Sequence, residues 1–147
     1  MIRSILVACT GNICRSPMAA GILQARLPHV DVSSAGTGAM VDSPADPLAR
    51  QVLATAARID IDAHRARQIT AELVLKAEIV LVMETLHKRW IISRFPAAAG
   101  RTFLLGEFGG FEVADPYLGT EQDFIACYAS IVRGVDAWVE KIARLAS

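Results

Sequence analysis

The chain of 147 residues predicts an α/β fold, a parallel sheet with helices on both faces. Two observations carry that prediction. Ile5-Leu6-Val7-Ala8 and Ile79-Val80-Leu81-Val82-Met83 are short unbroken apolar runs, the signature of strands buried on both faces in a parallel sheet. Around them lie segments with apolar residues at helical spacing, and strands alternating with helices fold into one parallel layer. A hydrophobic content of 53% is ample for one core, and the length suits a single domain over residues 1–147.

In chain order, Arg3 to Ala8 reads as the central strand and Met18 to Leu27 as a helix stopped by Pro28, with Pro17 suited to the first helical position. Val30 to Ser34 alternates and reads as a second strand, and Gly36 to Ala45 as a loop. Asp46-Pro47 has the form of an N-cap followed by a proline, opening a helix with Leu48, Val52, Ala56 and Ile59 on one face. Thr70 caps a short helix through Lys76, and Ile79 to Met83 is the third strand. Leu86, Trp90 and Ile91 place a helix from about Glu84 to Arg94, closed by Pro96, and Thr102 to Leu105 is the fourth strand. Gly106 to Gly119 is glycine-rich and irregular. The last helix carries an apolar stripe, Phe124, Tyr128, Ile131, Val135, Trp138, Ile142 and Leu145, interrupted by Gly134 at a cost of roughly 1 kcal/mol.

In such sheets a ligand binds beyond the carboxyl ends of the strands, where strand order reverses. The loop leaving the first strand at that end is Cys9-Thr10-Gly11-Asn12-Ile13-Cys14-Arg15-Ser16. It runs into a helix whose first N–H groups and positive dipole end attract anions. Cys9 there is either a small buried hydrophobe or a thiolate nucleophile, which electropositive surroundings favour. Arg15 is either a surface residue of the first helical turn or one half of an anion clamp. The helix dipole disfavours a cation at that end, which points to the clamp. Gly11 and Asn12 tolerate left-handed backbone, so successive N–H groups can turn inward as a phosphate nest. Ser16 is a helix cap or a hydrogen-bond donor to the Cys9 sulfur.

Composition excludes several classes. Lys plus Arg and Asp plus Glu number 15 each, so no basic surplus argues for nucleic acid. Ile5 to Ala8 is too short for the apolar core of a signal peptide, and no run approaches a membrane span, so a cytoplasmic protein without membrane insertion is expected. Three cysteines do not make a disulfide framework. There is no H-E-x-x-H, no paired Cys-x-x-Cys and no acidic cluster, and the three histidines are scattered, so neither a metal nor another cofactor is expected.

Val7 to Pro17, Ala63-His64-Arg65-Ala66-Arg67-Gln68-Ile69 and Asp115-Pro116-Tyr117, in that order, resemble the low-molecular-weight protein tyrosine phosphatases over nearly the whole chain. The resemblance implies a three-layer fold with four parallel strands ordered 2-1-3-4 and a phosphate-binding loop after the first. It implies that Cys9 is the nucleophile, that Arg15 holds the phosphoryl oxygens, and that Asp115 protonates the leaving phenolate and then activates water. Thr10, Gly11, Asn12, Ile13, Cys14 and Ser16 would bind phosphate, with Asn12, Ser16 and His64 supporting the loop. For Asp115 a simple turn remains the alternative, and for His64 a satisfied, partly buried imidazole. Cys14 is an apolar filler or, by the resemblance, a partner for Cys9 in a reversible disulfide; Cys127 is structural. An ionised Cys9 working with a protonated Asp115 predicts a bell-shaped rate profile with a mildly acidic optimum.

The chain departs from the family's pattern on the rim. Met40 stands where many members carry an aromatic residue, leaving Met40, Ile13 and Tyr117 to meet the substrate ring. Leu118 follows Tyr117 where eukaryotic members often have a second tyrosine. The aliphatic loop is similar to the bacterial branch that serves tyrosine kinases of exopolysaccharide export. The implied partner is a phosphotyrosyl protein, with an autophosphorylating bacterial tyrosine kinase as one candidate, and the expected state is a monomer or weak dimer. Two rivals stand beside this reading. A thiol arsenate reductase is disfavoured because no cysteine lies between Cys14 and Cys127, and a non-catalytic phosphotyrosine-binding module because Cys9, Arg15 and Asp115 are all present.

Overall fold

The computed structural model describes residues 1–146. Four strands, β1 (Ser4–Cys9), β2 (Asp31–Gly36), β3 (Ile79–Val82) and β4 (Thr102–Leu104), form one sheet in the order β2-β1-β3-β4. Every pairing is parallel, with Ile5 opposite both Val32 and Ile79. Alternation along the strands builds two cores. Ile5, Val7, Cys9, Ile79 and Leu81 face one side and pack with α1 (Arg15–Arg26), α2 (Pro47–Ala57) and α5 (Glu121–Ala146). Leu6, Ala8, Val80 and Val82 face the other and pack with α3 (Ala71–Lys76) and α4 (Thr85–Arg94). The edge strand β2 is blunted by side chains: Gln24 Oε1 accepts from Val32 N, and Arg67 Nε donates to the Ser34 carbonyl.

Helix starts follow capping chemistry. The Asp46 side chain accepts from Leu48 N with Pro47 next in line, and Thr70 Oγ1 accepts from Leu73 N. Helix α1 begins earlier than the apolar pattern indicates, at Arg15, so Pro17 is its third residue rather than its first. Pro17 still lies among the N–H groups that have no intrahelical acceptor, so its ring costs no bond. Helix α2 stops at Ala57 because Arg58 turns left-handed at φ 55°, and Ile59 folds back through its N–H to the Leu53 carbonyl.

Two differences matter for packing. Leu86, expected on the inner face of α4, is exposed, and His87 occupies the buried position beside Ile91. A 3-10 turn, Pro96–Arg101, follows α4 where only a stop was expected. Gly134 in α5 has a steric reason: a Cβ there would lie 2.8 Å from both Cγ and the carbonyl oxygen of Leu105, just past β4.

Candidate active site

The loop after β1 sits at the carboxyl end of the sheet, where order reverses between β2 and β3. Its backbone polar groups are sorted by side. The carbonyls of Cys9, Thr10 and Gly11 accept from the N–H groups of Thr37, Gly38 and Met40 at 2.9–3.0 Å. Those of Ile13 and Cys14 accept from Asp46 N at 2.8 Å and Met18 N at 3.3 Å, and that of Asn12 from the His64 ring at 2.7 Å. With each carbonyl claimed from outside, the N–H groups of Gly11, Asn12, Ile13 and Cys14 have no acceptor among the described residues. Buried donors without acceptors are rare in folded proteins, and a row of them is an anion cradle. Asn12 makes the turn possible with φ 61°. Gly36 lets the flanking chain close on the loop, since a Cβ there would meet the Thr10 carbonyl oxygen at 2.2 Å.

The side chains are set by the same scaffold. Cys9 is buried, and its Sγ lies 2.9 Å from Ser16 Oγ. Asn12 Nδ2 donates to that oxygen at 2.7 Å and to Ser34 Oγ at 3.0 Å, while Asn12 Oδ1 accepts from Arg67 N at 3.0 Å. Because the Asn12 amide occupies Ser16 Oγ as an acceptor, the hydroxyl hydrogen is available to Cys9. Arg15, only 2% exposed, is clamped through Nη1 to Glu84 Oε2 and to the Val113 carbonyl at 2.8 Å. Its Nη2 lies 3.7 Å from Asp115 Oδ2, and among the described residues the arginine's hydrogen bonds, to Glu84 and Val113, both leave from Nη1. Asp115 is half exposed, and its Oδ1 accepts from Tyr117 N at 3.1 Å, which leaves Oδ2 on the Arg15 side.

One pocket is lined by Cys9, Thr10, Gly11, Asn12, Ile13, Cys14 and Arg15 of the loop, by Met40, and by Asp115 and Tyr117. The pocket gathers the expected lining residues except Ser16, which bonds the Cys9 sulfur from behind the loop rather than lining the pocket, as His64 bonds the Asn12 carbonyl from behind it. All three cysteines are free. Burial, reinforced by the nearby Asp46 and Asp115 carboxylates, pushes the Cys14 thiol far up, and burial pushes Cys127 up to about 12. Burial also lowers His64, and with Arg15 beside it lowers His87 to about 4, so both rings are neutral near pH 7. Among the described residues no cluster of His, Cys, Asp or Glu is placed to hold a metal ion, and no helix is long and apolar enough to cross a membrane.

Sequence reasoning missed Glu84, His87, Ser34 and Arg67. Glu84 follows the apolar run of β3 at the carboxyl end of a strand adjoining β1, and that position was the available signal. It supplies a resident carboxylate for Arg15, so the arginine's unfavourable place at a helix start is compensated within the protein. Ser34 and Arg67 carry no local signal, because their partners lie 22 and 55 positions away, and the His87 bond to Thr10 spans 77.

A buried thiol beside a row of backbone donors without protein acceptors among the described residues, flanked by a fixed guanidinium and a half-exposed carboxylate, defines a site for covalent chemistry on an oxyanion. Residues 4–147 match the model of the low molecular weight phosphotyrosine protein phosphatases, and the chain belongs to that family. A relative from Ralstonia nicotianae, named "Probable low molecular weight protein-tyrosine-phosphatase EpsP", is 50% identical over 145 residues, 99% of each chain. Wzb of Vibrio vulnificus, solved in complex with benzylphosphonate, superposes with a TM-score of 0.91 at 35% identity, covering 96% of this chain and 99% of that one. The YwlE arginine phosphatase of Geobacillus stearothermophilus superposes with a TM-score of 0.90 at 38% identity, covering 97% and 94%. The protein is thus a low-molecular-weight protein-tyrosine phosphatase by family, on the four-stranded 2-1-3-4 sheet expected of it.

Proposed function

We propose that the chain hydrolyses phosphotyrosine in two steps through a phosphocysteine at Cys9. The phosphoryl group sits in the cradle of loop N–H groups, with its oxygens held by Arg15 Nε and Nη2, since the hydrogen bonds to Glu84 and Val113 among the described residues use Nη1. The Cys9 thiolate attacks phosphorus in line, the S–P bond forms, and the bond from phosphorus to the phenolic oxygen breaks. A proton on Asp115 Oδ2 passes to the leaving oxygen, since Oδ1 is occupied by Tyr117 N. Water then attacks phosphorus, Asp115 takes its proton, and inorganic phosphate leaves with Cys9 returned as thiolate. Ser16 donates to the sulfur as charge returns to it. Backbone donors and Arg15 supply the electrostatic stabilisation that such transfers require.

Ile13, Met40 and Tyr117 present apolar surface beside the cradle, which suits an aryl ring better than a charged guanidinium. The substrate is accordingly a phosphotyrosyl protein. The relatives EpsP, Etp, Wzb and AmsI lead us to place it among phosphoproteins of bacterial polysaccharide production, with an autophosphorylating tyrosine kinase as the partner.

The observation that carries this reading is the row of unpaired N–H groups around a buried thiol. Hydrolysis of an aryl phosphate by the wild type, Cys9→Ser and Asp115→Ala, with and without vanadate, tests it. Activity abolished by Cys9→Ser and blocked by vanadate is expected. A Cys9→Ser variant that still turns over refutes the mechanism, and preference for phosphoarginine over phosphotyrosine refutes the substrate. A wild type that binds phosphotyrosine without hydrolysing it is a binding module.

A further inference from the structure

We propose that His87 is a positioning residue, a neutral imidazole that locks Thr10 of the nucleophile's loop to Glu84, the carboxylate that holds Arg15. The proposal rests on the reading of Cys9 and Arg15 given above and adds a residue to it.

The ring is 1% exposed in the first turn of α4, on the face that helical periodicity reserves for an apolar side chain. Two bonds define its tautomer. Glu84 N–H donates to Nδ1 at 3.1 Å, so Nδ1 carries the lone pair. The proton is therefore on Nε2, which donates to Thr10 Oγ1 at 2.9 Å. A protonated ring would set an N–H against the Glu84 N–H and break the first bond.

Closing the N-terminus of α4 does not account for this arrangement. The return bond to the N-cap N–H needs only one acceptor at the third helical position, and Glu or Gln supplies it in the usual capping box. The second nitrogen does something a cap does not. It crosses from the carboxyl end of β3 to the residue directly after Cys9, 77 positions away in sequence. At its other end, Glu84 receives Arg15 Nη1, and its own side chain accepts from the His87 backbone. Thr10 is held a second time through its carbonyl by Gly38 N. One imidazole thus spans the two sides of the pocket, the loop carrying the thiol and the carboxylate aiming the guanidinium.

Loss of the link should leave substrate binding largely intact and degrade alignment in the transition state. His87→Asn keeps an amide acceptor where Nδ1 lies and gives up Thr10; His87→Gln keeps a donor where Nε2 lies and gives up the cap. Thr10→Val removes the acceptor at the far end while keeping the side-chain shape. With phenyl phosphate, His87→Asn and Thr10→Val should each lower kcat about tenfold, roughly 1.4 kcal/mol, with KM within about threefold. Affinity for vanadate, which adopts the transition-state geometry, should fall in parallel, and His87→Gln should recover part of it. The double variant should be no worse than either single one, because both break the same link.

The proposal is overturned if folded His87→Asn keeps kcat and vanadate affinity within twofold of wild type. It is equally overturned if the two single effects add, or if the activity lost simply follows the unfolded fraction. Should the histidine variants not fold, Thr10→Val carries the kinetic and vanadate tests alone, since Thr10 is an exposed residue and the change removes only its hydroxyl. A wild type without turnover, or an active Cys9→Ser, overturns the underlying reading of the site, and the role of His87 falls with it.

Discussion

Ser16→Ala isolates one hydrogen bond to the nucleophile. Ser16 Oγ accepts from Asn12 Nδ2 and gives its hydrogen to Cys9 Sγ at 2.9 Å, so the substitution removes a single donor to sulfur. The loop retains its anchors, because Asn12 still bonds Ser34, the Arg67 backbone and His64. A hydrogen bond to a charged group contributes about 1.5–3 kcal/mol, and the site is buried, so solvent replaces little of it. That corresponds to roughly ten- to hundredfold in rate. The effect should divide unevenly between the steps. During attack sulfur loses charge, and the bond is weaker in the transition state than before it. During phosphocysteine hydrolysis sulfur regains charge, and the donor stabilises that transition state. Rapid-quench kinetics with an aryl phosphate should therefore show a phenol burst near one equivalent, a steady state ten- to hundredfold slower than wild type, and accumulated phosphocysteine by intact-protein mass spectrometry. A rate within twofold of wild type, or a slow rate without phosphocysteine, refutes the direction assigned to this bond.

Asp115→Asn should lower kcat about 10²–10⁴-fold for phenyl phosphate and far less for an aryl phosphate whose leaving group needs no proton; equal losses on both would remove Asp115 as the acid. Folding stability should fall as pH drops from about 6.5 towards 4, because unfolded His87 takes up a proton that the folded ring, lowered to about 4, refuses. The loss from this ring is about 3 kcal/mol, full stability being present above pH 6.5, and His64 acts in the same direction. Urea titrations of wild type and His87→Gln at pH 7, 5.5 and 4.5 check it, and parallel pH dependences would disprove it. Gly134→Ala sets a helix gain of about 1 kcal/mol against a Cβ placed 2.8 Å from a backbone oxygen, and overpacking of about 1–3 kcal/mol should win. A raised midpoint in thermal melts would show that Leu105 moves aside without cost.

The fold was legible wherever the code is local. The two-sided runs of β1 and β3, the Asp46-Pro47 and Thr70 caps and the long stripe of α5 each express a preference that neighbouring residues suffice to set. Errors came where a distant partner outweighed the local pattern. Leu86 suits the inner face of α4 by periodicity, yet His87 takes it because its two nitrogens find Glu84 and Thr10. Gly134 looked like a tolerated flaw until Leu105 lay against it. Pro17 shifted to the third helical position because the helix starts from the loop, at Arg15.

By itself the sequence determined the chemistry on offer: a thiol and a guanidinium around a Gly-Asn turn, between a buried strand and a helix, and a carboxylate far downstream. Bond reach along one short loop sets that much. Tertiary structure alone decided how the loop is held open. The carbonyls of Cys9 through Ile13 are taken by residues 37 to 64, which leaves the N–H groups of Gly11 to Cys14 without an acceptor among the described residues. It also decided what aims Arg15, since Glu84 and the Val113 carbonyl come from segments 69 and 98 positions away. The physical reason is the same in both cases. Unsatisfied donors and a buried cation are costly in isolation, and only packing of remote strands supplies the partners that make them stable.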